Sequence, residues 1–329
     1  MAILISDVGD SLILNLVLLS LGFLMLIKGA DWLVKGAGNL ARSFGVSPLF
    51  IGLTVVAFGT SAPELAVSLS ASFNGLGEIA LSNVVGSNIA NVGLIIGISA
   101  MILPLSVESS TVRKEIPFAL LISAVVFVMI AFRGNPVLGI REGIILLLFF
   151  AIFFEYLYSM AKTQHEQLRK EEKSPLSGED QIGKNVFLTV LGIVLVVIGG
   201  KLVVDSASFI ASFLGMSDAM IGLTIVAIGT SLPELVTSVT ASLKKEMGIA
   251  IGNIVGSNIF NLLLVLGLTS IVNSVNITLS SYWIDLLVML IFTGILMIFS
   301  TTRMKISRIE GLLLLSGYLI YVAFTIIRG

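Results

Sequence analysis

Glu64 and Glu234 stand in the same local sequence, Gly-Thr-Ser-x-Pro-Glu-Leu, and both lie deep within long apolar stretches. A charged side chain near the centre of a bilayer costs about 2.5–3.5 kcal/mol on insertion scales, so a carboxyl there is read first as functional. Pro63 and Pro233 carry no backbone N–H, and Gly59 and Gly229 loosen the turn before them. A broken helix is expected at both places. Unwinding would free the carbonyls of Ala57, Thr60, Ala227 and Thr230, and free carbonyls in lipid need a polar partner. With the hydroxyls of Ser61 and Ser231 and the two carboxylates, these atoms form an all-oxygen set suited to a dehydrated cation.

A second wall comes from the segments that follow. Asn83, Ser87 and Asn91 recur at i, i+4 and i+8 on one helical face, and Asn253, Ser257 and Asn261 repeat the stripe. Polar stripes also act as interhelical glue, and Gly86 and Gly256 suit close packing. Two stripes, each beside a midmembrane Glu, favour contact with an ion.

Calcium takes six to eight oxygen ligands. Two bidentate carboxylates plus the Thr60 and Thr230 carbonyls would offer about six oxygens and two negative charges. The chain has one His and no Cys, which leaves no zinc or copper set, and magnesium sheds its water too reluctantly for a dry cage. Calcium therefore fits best. The same oxygens with the Ser hydroxyls could hold sodium, and competition for shared carboxylates gives antiport. Proton exchange on the two carboxylates is the alternative coupling. A cation channel would need a continuous polar lining, and an intramembrane serine protease would need a base near its Ser. A transporter without a cofactor, rather than an enzyme, is expected.

The elements that must hold these residues are legible from composition. Of 329 residues, 56% are hydrophobic and 12% charged, with a mean hydropathy of +1.07, far from the roughly 25% charged content of soluble chains. Apolar windows fall near 12–30, 49–73, 78–103, 115–132, 142–160, 183–200, 218–243, 248–272, 282–300 and 309–327, each long enough to span a hydrocarbon core of about 30 Å. The expected fold is an all-α integral membrane protein with ten transmembrane helices. Glu155 and Asp285 lie near predicted helix ends and need only a structural explanation.

The first apolar segment follows no basic region or cleavage site, so it reads as a retained helix. With the N-terminus outside, all 19 basic residues except Arg133, Arg141, Lys201 and Arg328 fall on the cytoplasmic side, the bias by which short loops set topology. Both termini are then outside. Residues 161–184 carry both charge signs, Pro175 and the solvated His165, and read as a cytoplasmic linker. The expected partners are the bilayer and the transported ions. No basic block recruits nucleic acid, and no protein partner is evident.

At a constant offset of 170 residues, 51–91 falls on 221–261 without a gap, with 24 of 41 positions identical. Five spans in each half reverse the second relative to the first, an inverted-topology repeat of the secondary-transporter kind. The expected units are the five-helix repeats 1–160 and 185–329, joined by 161–184.

The motifs GTSAPEL and GNIVGSN resemble the alpha repeats of the calcium/cation antiporters, in particular the sodium/calcium exchanger branch. The resemblance implies calcium bound between Glu64 and Glu234 with help from Thr60 and Thr230. It also implies sodium sites at Ala57, Ser61, Ser87, Ala227, Ser231 and Ser257, with Asn91 and Asn261 facing the centre. Potassium-dependent members carry Asp at the position of Asn261, so potassium cotransport is not implied. The short linker leaves no room for the calcium-sensing domains of animal exchangers.

Overall fold

The computed structural model describes residues 2–132, 137–170, 179–216, 227–277 and 279–328. The helices are α1 (Ala2–Phe44), α2 (Pro48–Thr60 and, beyond a break, Ala62–Phe73), α3 (Gly77–Ile102), α4 (Thr111–Ala131) and α5 (Ile140–Lys170) in the first half. The second half holds α6 (Glu179–Phe213), α7 (Leu232–Leu243, preceded by a turn at Ala227–Gly229), α8 (Met247–Val272), α9 (Leu279–Thr301) and α10 (Arg308–Arg328). Among the described residues eight helices are long and apolar enough to cross a bilayer, and the bent α2 makes nine. The expected span 218–243 begins among residues outside those described.

Burial sorts these helices into a centre and a rim. The most apolar window of α8 is 94% buried and that of α3 is 72%, against 17% for α1, α5 and α10. The helices bearing the two polar stripes are thus the middle of the molecule. On α1 and α6 the outward residues, such as Leu24, Ile27, Phe187 and Val190, are large, apolar and exposed, as a face bathed in lipid requires.

α1 lies along α6 at a separation that only glycine permits. A Cβ added at Gly192 would come within 2.5 Å of Leu33 N and 2.8 Å of Gly29 O, and one at Gly29 within 3.0 Å of Gly192 O. Backbone cannot retreat from such a contact as a flexible side chain can, and lipid supplies no hydrophobic drive between helices, so close packing of this kind holds them together.

Two short ribbons tie the halves. β1 (Leu105–Ser106) pairs antiparallel with β4 (Lys305–Ile306), and β2 (Val137–Leu138) with β3 (Val275–Asn276). β1 and β2 flank α4, whose 21 residues extend about 32 Å at 1.5 Å each, so the ribbons sit at opposite ends of the bundle. Turn geometry repeats between halves as well. Gly45 and Gly215 share left-handed backbone (φ +66° and +88°), and Lys245 (+62°) takes the conformation that Gly75 (+75°) holds in the first half.

Three expectations change. α1 runs on to Phe44 rather than ending near residue 30, because its later polar residues are held: Lys244 pairs with Asp31 at 2.6 Å and Arg42 with Glu246 at 3.1 Å. The stretch 161–184 is helical at both ends, since α5 continues to Lys170 and α6 begins at Glu179. His165 is accordingly an exposed helical residue, its Nδ1 3.4 Å from the Phe44 carbonyl, while Gln164 Oε1 accepts the Ser47 N–H at 2.8 Å.

Candidate functional site

The break in α2 falls where proline places it. Ser61 leaves helical backbone (φ −81°, ψ 4°) and the two arms meet at 44°. Ser231 repeats the conformation (φ −90°, ψ 6°) ahead of α7. Glu64 and Glu234 then occupy the first turn of the arm that follows, where the helix N-terminus carries partial positive charge and favours an anion. Both are buried, at 1% and 0% exposure.

Opposite them, α3 and α8 each turn into a π-helical stretch, at Asn91–Ile96 and Asn261–Val265. Such stretches occur frequently at functional sites. The stripe residues close the two halves onto each other. Thr60 Oγ1 donates to Asn253 Oδ1 at 3.0 Å, and Thr230 Oγ1 donates to Asn83 Oδ1 at 3.4 Å. Asn83 donates in turn to Ser68 Oγ at 2.9 Å and to the Glu64 carbonyl at 3.2 Å. Asn253 does the same to Ser238 Oγ at 2.9 Å and the Glu234 carbonyl at 3.5 Å. Each asparagine therefore braces one glutamate's backbone while gripping the threonine of the other half.

The carboxylates are less equal. Glu234 Oε1 accepts from Ser61 Oγ at 3.2 Å and Ser257 Oγ at 3.5 Å. Both oxygens of Glu64, Glu234 Oε2 and the hydroxyls of Ser87 and Ser231 have no hydrogen-bond partner. Asn91 Nδ2 donates to Asn258 Oδ1 at 2.9 Å, whereas both amide atoms of Asn261 are buried and unpartnered. Each unsatisfied buried polar atom costs about 1–3 kcal/mol, and two carboxylates close enough to feel each other's charge add repulsion. A hard cation offsets both costs, and neutral oxygens with two carboxylates are the donor set it takes.

The Ala57 carbonyl is more engaged than the sequence suggested: it accepts the Ser61 N–H at 3.0 Å and the Thr60 hydroxyl at 3.4 Å, leaving little of it free. Gly256 does pack closely, an added Cβ there lying 2.7 Å from Ala57 Cβ and 3.0 Å from Leu53 backbone. Ala227 begins the short turn before Ser231.

Sequence reasoning missed Ser68 and Ser238, four residues beyond each Glu and hence on the same face, and the Asn88 and Asn258 pair. Asn258 reaches the Asn88 carbonyl at 3.5 Å. Their recurrence at the 170-residue offset was the available signal. It also missed Glu115, fully buried at the start of α4. Asp285 is buried too, paired with Arg328 at 2.8 Å and Tyr321 at 3.0 Å, while Glu155 faces outward.

Residues 14–159 and 184–327 match the sodium/calcium exchanger protein family. The chain is 37% identical to the inner membrane protein YrbG of Escherichia coli, covering 95% of this chain and 97% of that one. It is also 37% identical to the sodium/calcium exchanger MaX1 of Methanosarcina acetivorans, covering 95% and 98%. Its fold matches the sodium-calcium exchanger NCX_Mj soaked with 10 mM Na+ and 10 mM Sr2+, with a TM-score of 0.82 and 33% identity over 95% of this chain and 98% of that one. The family match over both halves, with likeness along nearly the whole length, makes this chain a member of the sodium/calcium exchanger protein family, a multi-pass membrane transporter.

Proposed function

We propose that this protein exchanges calcium for sodium across the cell membrane by alternating access, both ions competing for one midmembrane site built on Glu64 and Glu234. The observation that carries the reading is the convergence of two buried carboxylates and unpartnered hydroxyl and amide oxygens at the break in α2 and at Ser231 ahead of α7. Calcium takes Glu64, Glu234 and the Thr60 and Thr230 carbonyls. Sodium takes the same carboxylates with Ser61, Ser231, Ser87, Ser257 and the Ala227 carbonyl, and takes the Ala57 carbonyl by displacing its long bond from the Thr60 hydroxyl, while Asn91 and Asn261 face the centre. Asn83 and Asn253 hold the threonines in place. Pro63 and Pro233 enforce the breaks.

The architecture that goes with this reading has ten spans in two inverted five-helix repeats, 1–160 and 185–329, with both termini outside and 161–184 cytoplasmic. The 170-residue offset that relates the Thr–Asn bonds and the turns supports the repeat.

Sodium coupling is separated from proton coupling by measuring calcium uptake into proteoliposomes under an imposed sodium gradient and, separately, an imposed pH gradient. Uptake is expected under the first and absent under the second; uptake driven by the pH gradient alone would replace sodium with protons on the same carboxylates. Within the site, Ser61→Ala is expected to weaken sodium-dependent exchange several-fold more than calcium binding, because the lost hydroxyl is a sodium ligand and braces only one oxygen of Glu234. Equal losses for the two ions in flux and binding assays would contradict this division of ligands.

A further inference from the structure

Among the buried carboxylates away from the Glu64/Glu234 centre, Glu115 is the most deeply buried and is not used by the exchange site proposed above. Glu115 is fully buried in the first turns of α4; Tyr156 of α5 donates its hydroxyl to Oε1, and Oε2 has no partner. It lines a cleft of about 190 Å³ with Lys114, Phe118, Ile152, Phe153 and Tyr156. At roughly 30 Å³ per water, the cleft has room for a small polar headgroup. Its walls are apolar, with Phe118 stacked on Phe153 at 5.4 Å. The Lys114 ammonium stands 5.5 Å from the Tyr156 ring centre.

The cleft therefore has beside it a buried carboxylate with one unpartnered oxygen, closed off from water, and an exposed ammonium, and a ligand reaches that oxygen by parting the side chains that cover it. Glu108, just before α4, has its carboxyl pushed above the usual range by partial burial and then by the Glu115 charge, so it holds its proton more readily and competes less with Glu115 for a cation. The depth is that of a lipid headgroup, because Glu115 is only four residues into a 21-residue spanning helix. From the cleft two exposed apolar tracks lead into the bilayer, Leu121 and Val128 on α4 and Leu148 and Ile145 on α5. Their spacing of three and seven residues keeps each on one face, and the antiparallel helices send both tracks the same way.

We propose that this cleft binds a primary-amine glycerophospholipid of the phosphatidylethanolamine class, its ammonium donating to Glu115 Oε2, its phosphate facing Lys114 and its acyl chains lying on the two tracks. A primary ammonium supplies the N–H that Oε2 lacks; a quaternary choline cannot. Charge-assisted hydrogen bonds to a buried carboxylate contribute enough for about tenfold or greater discrimination.

The test is native mass spectrometry of the purified full-length protein equilibrated with dioleoyl-phosphatidylethanolamine, the matching phosphatidylcholine, or the matching phosphatidylglycerol. One ethanolamine lipid should be retained about tenfold over either of the others. Glu115→Gln should lower its retention to the choline level, and Ile152→Trp, which fills the cleft without touching the carboxylate, should reduce it as well. Tyr156→Phe leaves both carboxylate oxygens available and should keep the selectivity. Equal retention of ethanolamine and choline lipids by the unmodified protein overturns the proposal, as does a preference for the glycerol lipid or selectivity that survives Glu115→Gln. Should Glu115→Gln fail to fold, the headgroup selectivity of the unmodified protein and its loss in Ile152→Trp decide the matter.

Discussion

Glu64→Gln and Glu234→Gln are each expected to lower sodium-driven calcium uptake in proteoliposomes by roughly a hundredfold or more, with folding intact. Breaking a buried charge pairing by removing one partner typically costs about 3–5 kcal/mol, and here the partner is the transported ion. Each amide removes half of the negative charge that balances calcium while keeping nearly the same shape. The apo proteins should be no less stable than the unmodified one. Both oxygens of Glu64 lack hydrogen bonds of good geometry, and the amide oxygen of the replacement can still face the Ser87 and Ser231 hydroxyls, so that replacement loses little and relieves repulsion between two buried carboxylates. At Glu234 the amide oxygen can still accept from Ser61 and Ser257. Thermal melting without calcium and uptake with it should therefore move independently. Robust uptake by either variant would sink the two-carboxylate site. A large fall in melting temperature would show instead that the carboxylates serve packing.

The second large effect lies in the scaffold. Gly192→Leu is expected to prevent α1 from docking on α6, giving a protein that aggregates on extraction or melts many degrees lower. Overpacking a core costs about 1–3 kcal/mol when neighbours can move. At Gly192 the obstructing atoms are Leu33 N and Cα and the Gly29 carbonyl, which move only if the whole helix does. Gly183→Ala is the control on the same helix, since nothing lies within 4 Å of the added methyl and alanine is the better helix former by about 1 kcal/mol. Size-exclusion chromatography and thermal melting of the two variants should diverge; similar behaviour would remove the close contact as a determinant of assembly.

The separation of these two effects reflects how the molecule is built. The proposed ion site draws on α2, α3, α7 and α8, whose polar residues brace one another across the halves, while α1 and α6 contribute mainly backbone-to-backbone packing and a lipid-facing surface. A substitution can therefore remove transport without unfolding the protein, or the reverse.

Much of this was legible in the amino-acid sequence. Spanning segments announce themselves because lipid tolerates only apolar stretches of a minimum length. The break in α2 announces itself because proline cannot donate an N–H, and the two buried carboxylates do so because Gly-Thr-Ser-x-Pro-Glu occurs twice at one offset. These are local chemical constraints, and a repeat doubles the signal of each. Tertiary structure alone decided which polar atoms meet. That Thr60 grips Asn253 while Thr230 grips Asn83 depends on residues up to 193 positions apart brought together by packing, which no local pattern encodes. The continuation of α1 to Phe44 is of the same kind, because Asp31 and Arg42 read as a helix end until ion pairs from the Lys244–Glu246 turn hold them. Glu115 shows the limit most plainly: near the start of a span its sequence position suits a solvated carboxylate, and only the placement of α5, with Tyr156 closing over it, buries the charge.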